Sequence, residues 1–402
     1  MSSIAEQLAK AIAEHDGVLP LDAALVARDW LPAGRRLGLR EDQYDVGDRG
    51  TICERWLGST TYADNAVGPD DEGISYIRPA GGSPINLAEA VSADPIAILG
   101  QDYARSHSGL GRLAKIFDFA ARIPFHIHPP KDEAAKVGRN SKDEAYYFPS
   151  GVGMGPHPET FFGLHPGIAS SRDTDLLLDQ LVAWNSDDIL QYARAYKQMP
   201  EDGFFLPSGV LHAPGTALTI ELQEDSDTLA MFQALNAGKI ISKDLLFKDV
   251  SETDRHERGE AALLDWLDWE ANGDPYFYEN RHIPPVVFDE SESGSEAWIF
   301  YGSTKFSGKR LIIRPGQSYT CRERGVFNLL VWRGEGRIGG QQVVGNAPGS
   351  DELLVVHDRA VEDLEYTNTG ATDMTVIKFF GPDINPDAPS LKSAGHEAIR
   401  GA

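Results

Sequence analysis

The sequence predicts a mainly β protein made of two jelly-roll β-barrels, with a helical N-terminal segment and a helical insertion in the first barrel. Its 402 residues exceed one ordinary hydrophobic core, which favours two packed domains. From residue 51 onward, short apolar runs alternate with Gly, Pro, Asn and Asp, as in barrels of many short strands. The same texture returns after residue 285, in runs such as KRLIIRPG and VFNLLVWRG.

The order of these patterns divides the chain into four segments. Apolar residues recur at helical spacing from Ile4 to Ile12, and Pro20 begins a second predicted helix through LDAALVARDW. The insertion reads DTDLLLDQLVAWNSDDILQYARAYKQM, where leucines and tyrosines supply apolar helix faces. The predicted segments are an N-terminal helical segment (1–50), a first barrel (51–252) with its helical insertion at residues 172–199, a helix and linker (253–285), and a second barrel (286–390).

Composition limits the partners that the protein is expected to have. A formal net charge of −24 argues against nucleic acid and anionic membranes as partners. The sequence has no apolar run long enough to span a membrane and no secretory leader pattern at its start. Its two cysteines, Cys53 and Cys321, form no ligand pair such as CxxC, so we expect free thiols in a reducing, cytoplasmic setting. Nothing in the sequence predicts the oligomeric state.

The segment IPFHIHPPKDEAAKVGRNSKDEAYYF carries the strongest chemical signal. His126 and His128 are one residue apart, so on a strand both imidazoles share a face. Glu144 follows on the next strand-like run, and His212 follows a turn in GFFLPSGVLHAPG. Imidazole and carboxylate ligands from strands of one barrel can meet at a single divalent ion: zinc, manganese, iron or nickel. The competing interpretation is four unrelated side chains, and the conjunction favours the metal site.

These motifs resemble the class I mannose-6-phosphate isomerase family, whose zinc-dependent members have two cupin domains. The similar pieces occur in the family's order: ERWLGS (54–59), HIHPPKDEA (126–134), KDEAYYF (142–148) and FLPSGVLHAPGTALTIELQEDSD (205–227). The resemblance implies that residues 286–390 form a second, metal-free cupin. It also implies one zinc ion, held by His126, His128, Glu144 and His212.

The resemblance assigns roles to three further residues. It implies that Glu221 is the catalytic acid and base, and the pattern ALTIELQ supports this, because Glu221 lies on the polar face of an alternating strand. A solvent-facing strand is the alternative. Lys142 is implied to be a catalytic residue near the substrate, and Trp56 a substrate-binding residue. The competing interpretations are a surface lysine and a core tryptophan.

The sequence departs from the family pattern at three positions. His126 stands where the family has glutamine, which preserves a ligand. Pro124 stands at a family serine, and Met231 stands near the family's catalytic arginine. Because methionine can neither stabilise an enediolate nor bind a phosphate, these changes argue against a phosphorylated substrate. Lys239 or Lys243 can replace part of the arginine's function, and Lys239 is the predicted substrate-binding residue.

The sequence therefore predicts a metal-dependent sugar isomerase that interconverts an aldose and a ketose through an enediol. Its expected substrate is a small-molecule sugar or sugar phosphate, possessing adjacent hydroxyl and carbonyl oxygens that a metal can hold. Two alternatives stay open. One is a metal-dependent cupin oxygenase or lyase that uses the same ligands. The other is a non-catalytic sugar-binding cupin, which the missing arginine would fit.

Overall fold

The structure, a computed structural model, describes residues 2–391 and is mainly β, as predicted. The strands of residues 18–240 are β1 (Val18–Asp22), β2 (Ala24–Arg28), β3 (Thr51–Leu57), β4 (Tyr76–Ile77), β5 (Ile85–Asn86), β6 (Arg112–Phe117), β7 (His126–Ile127), β8 (Glu144–Tyr147), β9 (Glu159–Leu164), β10 (Ala193–Lys197), β11 (Gly203–Leu206), β12 (His212–Ala213), β13 (Thr219–Glu224), β14 (Ala230–Met231), β15 (Leu235–Asn236) and β16 (Lys239–Ile240). The strands of residues 286–380 are β17 (Val286–Glu290), β18 (Gly294–Phe300), β19 (Ser307–Ile313), β20 (Ser318–Cys321), β21 (Phe327–Arg333), β22 (Glu335–Ile338), β23 (Gln341–Val344), β24 (Glu352–Val355), β25 (Leu364–Asn368) and β26 (Met374–Phe380).

Short helices connect the strands. The α-helices are α1 (Ile4–Glu14), α2 (Leu87–Ala93), α3 (Pro95–Leu99), α4 (Lys131–Lys136), α5 (Pro166–Ser171), α6 (Thr174–Ala183), α7 (Glu252–Arg258), α8 (Trp269–Gly273), α9 (Phe277–Arg281) and α10 (His357–Ala360). Single 3-10 turns or short 3-10 helices add Glu41–Gln43, Gly47–Arg49, Tyr103–Arg105, Asp188–Tyr192, Lys243–Leu245 and Gly259–Trp266. Among the described residues, no helix combines the length and apolarity that a membrane span requires.

The first sandwich packs a six-stranded sheet on a five-stranded sheet. The six strands lie in the order β11-β8-β13-β6-β3-β2, and the five in the order β10-β9-β12-β7-β14. Strand β6 is buried at every position, because both faces of its sheet are covered. Tyr146 of β8 faces the five-stranded sheet, whereas the next residue, Tyr147, packs edge-on against Phe300 of the C-terminal unit. The alternation of side chains along each strand thus separates a site-facing side from an inter-unit side.

The second sandwich packs a nine-stranded sheet on a four-stranded one. The nine strands lie in the order β17-β18-β19-β26-β21-β24-β1-β4-β5, and the four in the order β20-β25-β22-β23. Strand β1 belongs to this sheet, where Val18 pairs with Val355 of β24. Strand β2 pairs with β3 in the first sandwich. Only Ala23 separates β1 from β2, so the N-terminal segment joins a sheet of each unit.

The structure corrects parts of the predicted secondary structure. The first helix is confirmed as α1, capped by Ser3, but the second, predicted from Pro20, is wrong because residues 18–28 form β1 and β2. Pairing with distant strands overrides the local helical pattern. In the insertion, α6 is followed by a 3-10 helix and then by β10, and the predicted linker contains α9. The limits of the four segments stay predictions.

A buried ion-pair cluster joins the two sandwiches. Arg55 of β3 is fully buried, and its guanidinium lies 2.5 Å from an oxygen of Asp351 and 3.0 Å from one of Glu352. The other oxygen of Glu352 accepts a 2.6 Å hydrogen bond from the backbone N–H of Gly58. Because burial removes the water that would solvate these charges, each carboxylate depends on Arg55.

We expect the substitution Arg55→Met to lower the free energy of unfolding by about 3–5 kcal/mol, because it leaves two buried carboxylates without their cation. Urea unfolding followed by circular dichroism measures this. The control is Arg40→Met: Arg40 pairs with Asp42 on the surface, and its loss should cost less than about 1 kcal/mol. Equal effects of the two substitutions would contradict the dependence of the interface on Arg55.

Candidate active site

A narrow cavity lies between the two sheets of the first sandwich. Its lining combines charged, polar and apolar side chains. The charged residues of the lining are Arg28, Glu54, Lys115, Lys142, Glu144, Glu221 and Asp227. The apolar residues are Trp30, Phe117, Phe119, Ile123, Pro214, Leu229 and Met231. Charged side chains at the end of a buried cavity are costly unless they have a function or a partner.

Three buried histidines meet beside this cavity. His126 on β7, His128 just after it and His212 on β12 each offer a ring nitrogen, and these atoms lie within 4.8 Å of one another. The pairing of β7 with β12 places His126 opposite His212. The HxH pair and the histidine after the PSG turn thus converge in space.

Backbone carbonyls fix the tautomer of each histidine. The Nδ1 atoms lie 2.7 Å from the oxygen of Pro124 for His126, 2.7 Å from that of Thr228 for His128, and 2.9 Å from that of Val210 for His212. A carbonyl only accepts hydrogen bonds, so each Nδ1 carries the proton and each Nε2 keeps its lone pair. Three Nε2 lone pairs are what a metal site needs.

The carboxylate of Glu144 completes the donor set. One of its oxygens lies 3.0 Å from Nε2 of His128 and the other 3.0 Å from Nε2 of His212, while the hydroxyl of Tyr146 donates to it. Because each Nδ1 carries the proton, the carboxylate oxygens of Glu144 face Nε2 lone pairs, and neither side can donate a hydrogen bond. Among the described residues, Nε2 of His212 has no hydrogen-bond partner. A shared divalent cation would satisfy all of these lone pairs, so the residues fit a metal ion.

Burial and neighbouring charges keep His126, His128 and Glu144 in the protonation states that bind a metal. Desolvation lowers the pKa of His126 well below its usual range. Desolvation and the nearby Lys142 lower the pKa of His128 to about 3. Burial alone would raise the pKa of Glu144, but Lys142 and the neighbouring His128 and His212 together outweigh burial and hold that pKa well below its usual range. These are neutral imidazoles and an ionised carboxylate at neutral pH.

Lys142 lies next to the candidate ligands. Its Nζ is 3.0 Å from Glu144, 3.2 Å from Nε2 of His128 and 3.4 Å from Glu221. These carboxylates raise the pKa of Lys142, against the effect of its burial, so it is an ammonium. Because the ammonium of Lys142 contacts two candidate ligands, its positive charge would repel a metal ion bound there. Its third contact is with Glu221, which is not a candidate ligand.

Glu221 lies between two lysines. Strand pairing places Lys115 of β6 on one side of it and Tyr146 of β8 on the other. Its carboxylate is 3.3 Å from Nζ of Lys115 and 3.4 Å from that of Lys142. Desolvation raises the pKa of Glu221 to about 7, although both lysines oppose the shift. A buried carboxyl with such a pKa can exchange protons near neutral pH.

The sequence analysis missed Arg28, Glu54 and Lys115. Arg28 donates from Nε to Glu54 at 2.7 Å and from an Nη to Asp227 at 3.3 Å, and Lys115 lies 3.9 Å from Glu54. A charged residue at the end of an apolar strand was the available signal for Arg28 in ALVARDW. The helix prediction hid it, because a helix would not have aimed this side chain between two sheets.

Neither of the predicted substrate-binding residues, Trp56 and Lys239, lines the cavity beside the candidate ligands. Trp56 is fully buried outside the cavity lining, and its indole N–H donates to Glu54 at 2.8 Å. Lys239 is exposed and lines a second cavity next to the first. Lys243 pairs with Glu260 at 2.5 Å. Met231 lines the inner cavity and pairs with His126 across the strands.

The C-terminal sandwich contains a second group of potential ligands. Glu296, Cys321 and Glu323 offer atoms within 4.8 Å of one another. The ammonium of Lys378 lies 2.8 Å from each of the two carboxylates and 3.1 Å from the sulfur of Cys321. A fully buried ammonium thus takes the position of a cation in this group. His357, the histidine of this unit, begins α10 and is not part of the group. That the second unit binds no metal stays a prediction.

No protein-family model matches the sequence, and no curated protein matches it. Solved structures match its fold. Mannose 6-phosphate isomerase from Bacillus subtilis has a TM-score of 0.62 at 16% identity, over 90% of this chain and 99% of that chain. A zinc-bound mannose 6-phosphate isomerase gives 0.62 at 14% identity, over 91% and 100%. A variant of phosphomannose isomerase from Salmonella typhimurium gives 0.63 at 14%, over 91% and 100%. The chain has the fold of these isomerases, as the sequence resemblance implied.

We expect about one divalent ion per chain after reconstitution with zinc, and we expect His128→Ala to lower the bound metal strongly, because it removes one of the four assigned ligands. Metal content is measured by inductively coupled plasma mass spectrometry after dialysis. His357→Ala is the control and should keep the metal. Full metal content in a His126→Ala, His128→Ala double variant would contradict the assigned ligands.

We expect Lys142→Met to tighten zinc binding about tenfold, because it removes a buried positive charge that competes with the ion for the same lone pairs. Competition with a chelating dye gives the dissociation constant. Lys136→Met, which removes a half-exposed lysine of α4, is the matched control and should leave affinity unchanged. Weaker zinc binding in Lys142→Met would show that the ammonium supports the ligands instead.

Proposed function

We propose that the protein is a metal-dependent aldose–ketose isomerase. The observation that carries this proposal is the position of Glu221, a buried carboxyl held between Lys115 and Lys142 and next to a donor set suited to a divalent ion. The likeness in fold to mannose 6-phosphate isomerases supports the same reaction class. His126, His128, Glu144 and His212 would hold the ion.

In this proposal the chain's own residues move the proton. A divalent ion bound by these ligands supplies a Lewis acid that polarises a carbonyl oxygen. The carboxylate of Glu221 removes the proton from C2 of the open-chain aldose, which gives an enediol. Glu221 then returns a proton to C1. The ammonium groups of Lys115 and Lys142 place positive charge near the oxygens that become negative. The buried setting keeps bulk water away from the transferred proton.

The inner cavity is poorly suited to a phosphate at the far end of the sugar. Pro124 contributes its backbone carbonyl to His126, and Met231 presents an apolar side chain to the cavity. The guanidinium of Arg28 is already paired with Glu54 and Asp227. Because a phosphate dianion needs free donors, we infer that the preferred sugar carries none.

We expect Glu221→Gln to lower kcat/KM for sugar isomerisation by about 100-fold or more, because glutamine keeps the shape but cannot take a proton. In the native protein, kcat/KM should rise with pH, reach half its limit near pH 7 and level off about one to two pH units above that, since the carboxylate is the active form and the pKa of Glu221 is raised to about 7. The assay is exchange of the C2 hydrogen with deuterated water, followed by proton NMR.

Glu224→Gln is the matched control for this experiment. Glu224 lies at the end of the same strand, where it pairs with Lys305 outside the cavity. Full exchange activity in Glu221→Gln would remove Glu221 from the reaction. Oxygen consumption without C2 exchange would favour the oxygenase alternative over the isomerase.

A further inference from the structure

The cavity beside the candidate metal ligands adjoins a second, larger one. Arg28, Trp30 and Leu229 line both, so they form the boundary between an inner and an outer chamber. The inner chamber has a volume of about 40 Å³, and the outer one about 460 Å³. The outer chamber is roofed by the hairpin of β15 and β16, which turns at Ala237 and Gly238, both with positive φ.

The volumes of the two chambers fit different parts of one substrate molecule. A volume of about 40 Å³ is a few times the roughly 10–15 Å³ that one water occupies, so it admits only a small part of a sugar. That is enough for the reacting end of an open-chain sugar next to Glu221. The remainder of any longer substrate must pass Arg28 and Trp30 into the outer chamber. The indole of Trp30 is held in place by stacking on Phe119, at 5.4 Å between ring centroids.

The outer chamber is charge-balanced. Its basic lining residues are Arg28, Arg49, Lys239 and Lys248, and its acidic ones are Asp29, Asp48, Asp64 and Asp244. Several are already paired: Arg49 lies 2.5 Å from Glu72, and Lys248 lies 3.6 Å from Asp64. Four cations opposite four anions give no net attraction for a phosphate, but they offer many hydrogen-bond donors and acceptors.

Apolar side chains complete the chamber. Val67 is 63% exposed and Ile240 50% exposed, and both line this chamber together with Trp30. Large apolar side chains exposed around a cavity indicate a binding site more often than a plain surface. A surface that combines apolar and aromatic faces with paired charges is complementary to a sugar ring, which has C–H faces and a rim of hydroxyl groups.

We propose that the substrate is a short oligosaccharide with a free reducing end, whose reacting C1–C2 end lies in the inner chamber while the rest of the reducing sugar and the next ring occupy the outer chamber. This inference rests on the proposed isomerase function. The reaction is balanced without a co-reactant: C2 loses a proton, C1 gains one, a hydroxyl proton moves between the two oxygens, and the glycosidic bond stays intact. Binding of the second ring supplies energy that holds the reacting end in place.

The test compares mannobiose and cellobiose with mannose, glucose and mannose 6-phosphate on zinc-reconstituted protein, by C2 hydrogen exchange in deuterated water. We expect kcat/KM for at least one disaccharide to exceed that of its monosaccharide about tenfold, as two hydrogen bonds of ordinary strength would give. The variant Ala66→Trp places bulk in the outer chamber, because Ala66 is an exposed residue of its lining. It should reduce the disaccharide-to-monosaccharide ratio about tenfold.

Ala371→Trp, at an exposed loop position that lines neither chamber, is the control and should keep the ratio. A preference for a free monosaccharide or for mannose 6-phosphate overturns the two-ring assignment and leaves the isomerase function standing. A disaccharide preference that survives Ala66→Trp also overturns the use of the outer chamber. Absence of exchange with every sugar overturns the isomerase function, and the oligosaccharide assignment with it.

Discussion

The pairing of buried charges between two sheets is the constraint on which the first sandwich depends. Arg28 pairs with Glu54 and Asp227, Lys115 with Glu54 and Glu221, and Lys142 continues the alternation towards the candidate ligands. Each charge taken from water costs several kcal/mol, and the cost is offset only when the opposite charge lies at contact distance. These alternating charges form a row in which each member stabilises its neighbours. Removal of any one of them leaves the next buried charge without a partner.

The row is one positive charge short. The cavity lining carries three cations, Arg28, Lys115 and Lys142, against four carboxylates, Glu54, Glu144, Glu221 and Asp227. A divalent ion held by the histidines would more than correct the deficit, and full protonation of Glu221 would remove it. Desolvation raises the pKa of Glu221 to about 7, so burial keeps a proton available at a carboxyl next to the candidate ligands.

Sequence patterns predicted the parts of the site that lie on strongly marked local features. The HxH pair, the histidine after a PSG turn and the alternating strand of Glu221 needed only period-two geometry. Glu54 and Lys115 were within segments that read as strands, but which face each strand presents to the site depends on pairing with partners far along the chain. Arg28 required the knowledge that residues 24–28 pair with β3, which local helical spacing contradicted. Trp56 was predicted to bind the substrate, but it lies outside the cavity lining and donates to Glu54, which lines the cavity. A motif match does not tell whether a side chain reaches a cavity or supports a residue that does.

Strand β1 has a consequence for synthesis. Its partner β24 ends at Val355, so the ribosome completes the first sandwich before the partner of the N-terminal strand exists. Until then residues 18–20, which pair with β24, have unpaired backbone groups and apolar side chains, including Val18 and Leu19, that are fully buried in the finished protein. Long-range pairing of this kind slows folding and exposes strand edges to other chains. The N-terminal strand therefore stays an open sheet edge on the nascent chain until β24 has been synthesised, and only then does the second sandwich close around it.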